Sequence, residues 1–313
     1  MVAALMACQA PHAPAASRLL TARFAADERG TAFSVMNACT NLVSCVIPFL
    51  VLRGTAALGS WRALYVSVGA AVALIAALQW AFLLDDDDDT DQQGDDDQDG
   101  RLDDETSTTP SSDQPSSLGF VLRHKVVWTI GLTYALLCFV RIGVEGWIAT
   151  FFEAGGLSGA ASFLFWWQLG GFAGASIAGP ASDARGGQTP ALLSAGFSGL
   201  LLAILTGLSA KTVTWRLNAL AFLGGACVYA TKVLLTLATR LHFRTRDCGK
   251  ADAVTNALAE LGGAVAGLPL IALIEMTGSW RTYGVALALC AAGLCLSHVP
   301  LLAAERGLLR PSR

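Results

Sequence analysis

Charge is what this chain has least of. Only 14% of its 313 residues are Asp, Glu, Lys or Arg, against 54% hydrophobic. A soluble domain of this length carries about 25% charged residues. Even that small share is lumped, because residues 85–113 hold 14 of the 24 acids and a single base, Arg101. The remainder is a basic, very apolar body, and mean hydropathy for the whole chain is +0.53. This distribution argues against a nucleic-acid binder and for a membrane protein with one solvated loop. Cysteine pairing signals are missing as well. The eight cysteines contain no C-x-x-C, and Cys39, Cys45, Cys138, Cys227, Cys290 and Cys295 sit inside apolar stretches. They read as buried thiols in a bilayer rather than disulfides or metal ligands. Met1–Ala10 is apolar but has no basic n-region, so it does not read as a secretory signal. No catalytic triad, zinc spacing or phosphate-cradling glycine loop is present, so neither an enzyme, a cofactor nor a metal is expected.

What the chain does have is long apolar runs. A spanning helix needs about 20 apolar residues. Eight windows qualify: Thr31–Leu52, Trp61–Leu84, Val126–Phe152, Ala160–Ala181, Thr189–Leu208, Leu217–Leu241, Ala251–Ile274 and Trp280–Leu302. Met1–Ala22 is a weaker ninth, interrupted by Pro11, His12, Pro14 and Arg18. Small residues four apart, Gly170/Gly174 and Gly263/Gly267, let helix backbones approach closely in lipid. Between the second and third windows, DDDDDTDQQGDDDQDG followed by Ser, Thr and Pro cannot bury a core and reads as a disordered linker. Its Asp run lacks the spacing and terminal Glu of a calcium loop.

Orientation follows from loop bases. With nine spans, one side collects fourteen: Arg18, Arg23, Arg29, Arg101, Arg123, Lys125, Arg185, Arg240, Arg244, Arg246, Lys250, Arg306, Arg310 and Arg313. The other side holds five, Arg53, Arg62, Lys211, Arg216 and Arg281. That asymmetry places the acidic linker and the C-terminus in the cytosol.

The chain also repeats itself at a fixed offset. Phe24, Gly30, Ala32, Val35, Asn37, Ala38 and Leu42 recur as Phe243, Gly249, Ala251, Val254, Asn256, Ala257 and Leu261. In the same register Gly59-Ser60-Trp61-Arg62 recurs as Gly278-Ser279-Trp280-Arg281. Six helices separate equivalent points, so both copies face the same way. This is a parallel repeat of six-helix halves. The second half is complete, whereas the first keeps its last three helices, so about three helices are expected to precede Met1. The expected division is 1–84, a remnant of the first half; 85–119, the acidic linker; 120–303, the six-helix half; and 304–313, a cytosolic tail.

Several motifs carry a resemblance. Arg23–Asn41, with Glu28-Arg29-Gly30, forms a loop and following helix. Arg141-Ile-Gly-Val-Glu-Gly-Trp147 gives R-x-G-x-x-x-W. Gly170-Gly171-x-x-Gly174 runs to Gly179-x-x-Ser182-Asp183, and Tyr229 stands where a Tyr-Gly-Pro is frequent. The chain resembles the organophosphate:phosphate antiporter family of the major facilitator superfamily over nearly its whole length. The resemblance implies an all-α polytopic fold of about nine spans. It also implies exchange of a sugar or glycerol phosphate for inorganic phosphate by alternating access, with Arg141 at the position of a phosphate ligand. Its substrate would be a small anion, its surroundings the lipid bilayer, and its state a monomer. The chain departs from the family at Thr40, where one branch has His, at Gln168, where many members are acidic, and at Lys232, usually uncharged. A transporter-like sugar-phosphate sensor and an inactive truncated fragment are the alternatives.

The residues themselves support an anion site. A guanidinium inside a membrane helix costs at least about 2.5 kcal/mol, so Arg141 should face a cavity or a partner. Its planar fork suits phosphate, or it pairs with Glu145 one turn away. Lys232 either adds charge to that site or pairs with Glu260, which needs a partner or a proton. Asn37 and Asn256 either cross-link helices or touch substrate. Trp166, Trp167 and Gln168 either pack or stack on a sugar ring. Glu28, Arg29, Asp183 and Arg185, at cytosolic helix ends, read as gating ion pairs. His298 lies near a helix end and reads as interfacial.

Overall fold

The computed structural model describes residues 20, 23–24, 28–83, 118–184, 190–209, 214–243 and 245–297. Ten helices occupy the described residues. They are α1 (Arg29–Leu58), α2 (Trp61–Leu83), α3 (Leu118–Arg123), α4 (Lys125–Ala154), α5 (Ala160–Asp183), α6 (Pro190–Ser209), α7 (Thr214–His242), α8 (Thr245–Ala266), α9 (Leu268–Thr277) and α10 (Arg281–Ser297). The weak window Met1–Ala22, the acidic segment, Arg185, His298 and the tail lie outside the described residues, Leu20 excepted.

Over the described residues, each of the eight strong windows is helical. Five stretches are both long and apolar enough to cross a membrane: Arg29–Leu58, Trp61–Leu78, Lys125–Ala154, Trp215–Thr239 and Asp247–Thr277. The other three differ for separate reasons. Leu192–Leu205 and Arg281–Ser297 are apolar but short over the described residues. Helix α5 has 24 residues, and glycines, serines and Gln168 dilute its apolar character. The span Asp247–Thr277 consists of α8 and α9, separated at Gly267 with Pro269 in the first turn of α9. Proline tolerates that place because its missing N–H would be unpaired there.

The chain divides into two compact units, Met1–Pro48 with Pro115–Arg313, and Phe49–Gln114. In the first, α5 packs most closely on α7 and α4 on α8, with α6 against α7 and α10 against α4 and α6. Lipid is as apolar as leucine, so helix association rests on close packing rather than on burial from water. The glycines supply it. A β-carbon on Gly170, Gly174 or Gly225 would collide with the backbone of Phe222, Ala226 or Trp167 across the α5–α7 contact. Gly262 stands equally close to Ala135 across α4–α8. The expected Gly170/Gly174 pair is therefore a backbone contact, whereas Gly263 meets only the Ile142 side chain and Gly267 only the Ala264 carbonyl at the end of α8. Between these seams Phe33, Ile130, Leu137, Val140, Phe197, Leu200, Leu234 and Leu294 fill the core. Buried hydroxyls of Thr133, Thr231, Thr239 and Thr255 donate to carbonyls one turn back, which satisfies them in apolar surroundings. The described cysteines all carry free thiols, and Cys39 is exposed rather than buried.

The repeat is visible in the backbone. Gly59 and Gly278 both adopt left-handed φ, +64° and +62°. Ser60 Oγ accepts from Arg62 N and Ser279 Oγ accepts from Arg281 N, each at 3.2 Å, capping α2 and α10.

Candidate functional site

Arg141 lies near the middle of α4, a 30-residue helix. Tyr134, Cys138, Arg141 and Glu145 follow one another at three- and four-residue steps, so they share one face of that helix. Helix α5 brings Trp167 and Gln168 to this face, and α7 brings Tyr229 and Lys232. The polar groups converge on one atom. Glu145 Oε1 accepts from Tyr229 Oη at 2.6 Å, from Trp167 Nε1 at 3.2 Å and from Gln168 Nε2 at 3.2 Å. The first is a short, charge-assisted bond of the strong kind.

Arg141 forms no ion pair with Glu145 among the described residues. Its Nη2 instead lies 3.9 Å from Cys138 Sγ, and its buried Nε has no partner. The i to i+4 pairing expected from spacing is replaced because three donors from two other helices draw the carboxylate toward themselves. Lys232 Nζ sits 6.0 Å from the centre of the Tyr229 ring, within cation–π range. It is within electrostatic range of Arg141, Cys138, Glu145 and Glu260. The expected Lys232–Glu260 ion pair is not made, and Glu260 is exposed. Gln168 Oε1 is buried without a partner. The cluster thus holds two cations, one carboxylate engaged elsewhere, and two unused polar atoms on Arg141 and Gln168. An unpaired buried polar atom is costly, so this arrangement favours an oxyanion that accepts from Arg141 and a hydroxyl that donates to Gln168.

Other expected residues lie elsewhere. Trp167 is 3% exposed and stacks on Phe163 at 6.4 Å, so its ring is packed. Trp166 meets Phe165 and Phe222 edge-on. Asn37 donates to Phe33 O at 3.0 Å and Asn256 to Asp252 O at 2.8 Å. The two amides behave alike, each bonded along its own helix rather than across to another. The reason is proximity: a carbonyl one turn back is always in reach.

Asp183, expected in a gating ion pair, forms a contact of a different kind. Asp183 Oδ2, at the end of α5, accepts from Thr31 N and Thr31 Oγ1, both at 2.8 Å. A carboxylate on free N–H groups at a helix start is favoured by hydrogen bonding and by the helix dipole. Beneath it the backbones touch, since a β-carbon on Gly179 would strike the Gly30 carbonyl and Ser34 Oγ. Arg29 Nε donates to Phe24 O at 3.1 Å, and Glu28 is exposed.

Tyr229, which ties the cluster together, had no sequence signal beyond its place in a resemblance. A phenol in an apolar helix reads as packing. Only the rotation of α7 against α4 reveals its hydroxyl as the partner of Glu145.

Comparison with known proteins agrees with this architecture. The chain is 27% identical over 322 residues to a probable hexose phosphate transport protein of Chlamydia muridarum, covering 95% of this chain and 69% of that protein. A probable hexose phosphate transport protein of Chlamydia pneumoniae is 27% identical over 308 residues, 92% of this chain and 67% of its own length. The membrane sensor protein UhpC of Escherichia coli is 25% identical over 305 residues, 93% and 68%. Residues 1–267, from the first helices through the repeated amide helix α8, match the Major Facilitator Superfamily. The apolar spanning helices, the parallel repeat and this match make the chain a multi-pass integral membrane protein, a transporter-type member of the major facilitator superfamily related to the hexose phosphate proteins and to UhpC.

Proposed function

We propose that this protein exchanges an organophosphate, a sugar or glycerol phosphate, for inorganic phosphate by alternating access. The observation that carries this is the mid-helix guanidinium of Arg141, which no carboxylate among the described residues pairs, with a second cation, Lys232, within electrostatic range of it. Phosphate fits the planar fork of Arg141 bidentately, and Lys232 adds a point charge. Gln168 Oε1 accepts a hydroxyl of the ester, while Trp167 acts through Glu145. Asp183 on the start of α1 is the latch whose release accompanies rocking, and Glu28 and Arg29 lie at the same end. In this scheme residues 120–303 form one rocking half, 85–119 the cytosolic linker, and 304–313 a cytosolic tail.

The test is uptake of labelled hexose phosphate into proteoliposomes preloaded with inorganic phosphate. Wild-type protein takes up label only when phosphate is inside. Arg141→Lys, which keeps the charge but loses the fork, lowers uptake by at least about tenfold. Full activity in that variant contradicts the assignment of Arg141. The likeness to a named membrane sensor favours a second reading, ligand binding without flux. Saturable binding of hexose phosphate in the same vesicles with no uptake selects it.

A further inference from the structure

We propose that Tyr229 is a positioning hub that holds Glu145 away from Arg141 and so keeps the guanidinium open to an anion. The inference rests on the anion-binding role given to Arg141 above and adds the device that preserves it. Arg141 and Glu145 stand one turn apart on α4, the spacing at which opposite charges on a helix pair. In a low-dielectric interior that attraction is much stronger than in water. Left alone, the two would close on each other and the site would occupy itself.

The structure shows what prevents this. All three hydrogen bonds to Glu145 arrive at Oε1, from donors on α5 and α7, and none comes from Arg141. The Tyr229 bond is the shortest, at 2.6 Å against 3.2 Å for each of the others. The ring packs directly against Gly171, where a β-carbon would collide with it. Its ring also faces Lys232 Nζ at 6.0 Å. One side chain therefore engages both the cluster's acid and one of its bases, with the hydroxyl on Glu145 and the ring toward Lys232. The two functions are separable by mutation, since Phe keeps the ring and loses the hydroxyl.

The experiment measures binding of labelled inorganic phosphate to the full chain in lipid nanodiscs by equilibrium dialysis. Tyr229→Phe weakens binding about tenfold, because Glu145 now competes for Arg141. Adding Glu145→Gln to Tyr229→Phe restores binding to within about twofold of wild type. A hydroxyl that merely supported the fold would show no such rescue. Wild-type affinity in Tyr229→Phe, or no rescue by Glu145→Gln, overturns the hub. If Arg141→Gln leaves phosphate binding intact, the anion-binding role of Arg141 fails instead.

A second measurement needs no ligand. Thermal midpoints of Arg141→Gln, Glu145→Gln and their double variant are compared in wild-type and Tyr229→Phe backgrounds. The departure from additivity grows in the Tyr229→Phe background, where the two charges meet. Equal departures in both backgrounds overturn the proposal whatever the ligand.

Discussion

Positions 43 and 262 occupy the same place in the two copies of the repeat. Yet Val43 is 65% exposed, whereas a β-carbon on Gly262 would collide with the backbone of Ala135. The same divergence appears at 41 and 260, where Asn41 is buried with Nδ2 unpartnered and Glu260 is exposed. It appears again at 48 and 267, where Pro48 sits inside an unbroken helix and Gly267 separates two. Against this, the left-handed glycine turns, the serine caps and the amide bonds of Asn37 and Asn256 coincide. Devices that a segment completes within itself survive in both copies. Contacts diverge, because each copy has different neighbours to fit.

That contrast can be broken at several points. The largest effect is expected at the helix seam. Gly262→Val should cost about 3 kcal/mol by forcing α8 off α4, while Val43→Gly should cost about 0.4 kcal/mol through helix propensity alone. Thermal unfolding in detergent checks both, and equal losses would erase the distinction between the copies. Next comes the contact at the start of α1. Asp183→Ala should cost about 2 kcal/mol, and Thr31→Val, which spares the bond from Thr31 N, roughly half of that. A smaller and symmetric loss is expected at the turns. Gly59→Ala and Gly278→Ala should each cost about 1.5 kcal/mol, since alanine resists the left-handed region. Unequal values would show that tertiary context reaches even there. The smallest pair is Ser60→Ala and Ser279→Ala, about 0.7 kcal/mol each from a lost cap.

Much of this was legible in the residues. Apolar runs marked the helices because their cause is local composition, and the repeat was readable because GSWR fixes a turn by itself. Arg141, Glu145, Lys232, Trp167 and Gln168 stood out as polar or aromatic groups in apolar helices, and the fold does bring them together. What spacing could not supply was the choice among partners. Glu145 has Arg141 one turn away on its own helix but bonds to Tyr229, Trp167 and Gln168, a choice set by how α5 and α7 rotate against α4. Lys232 faces the Tyr229 ring instead of pairing with Glu260 for the same reason. Asp183 was expected in an ion pair and meets helix N–H and hydroxyl donors instead, because a helix start offers positive charge without a basic side chain.

The glycines at 170, 174 and 225 place the main chains of α5 and α7 against each other with no side chain between. Two rods joined so tightly behave as one beam, and neither slides or twists without the other. Trp167, Gln168, Tyr229 and Lys232 are all mounted on that beam, so one seam sets their mutual spacing. In the rocking proposed above, motion is absorbed at joints made of detachable bonds, of which the two from Thr31 to Asp183 are the plainest instance.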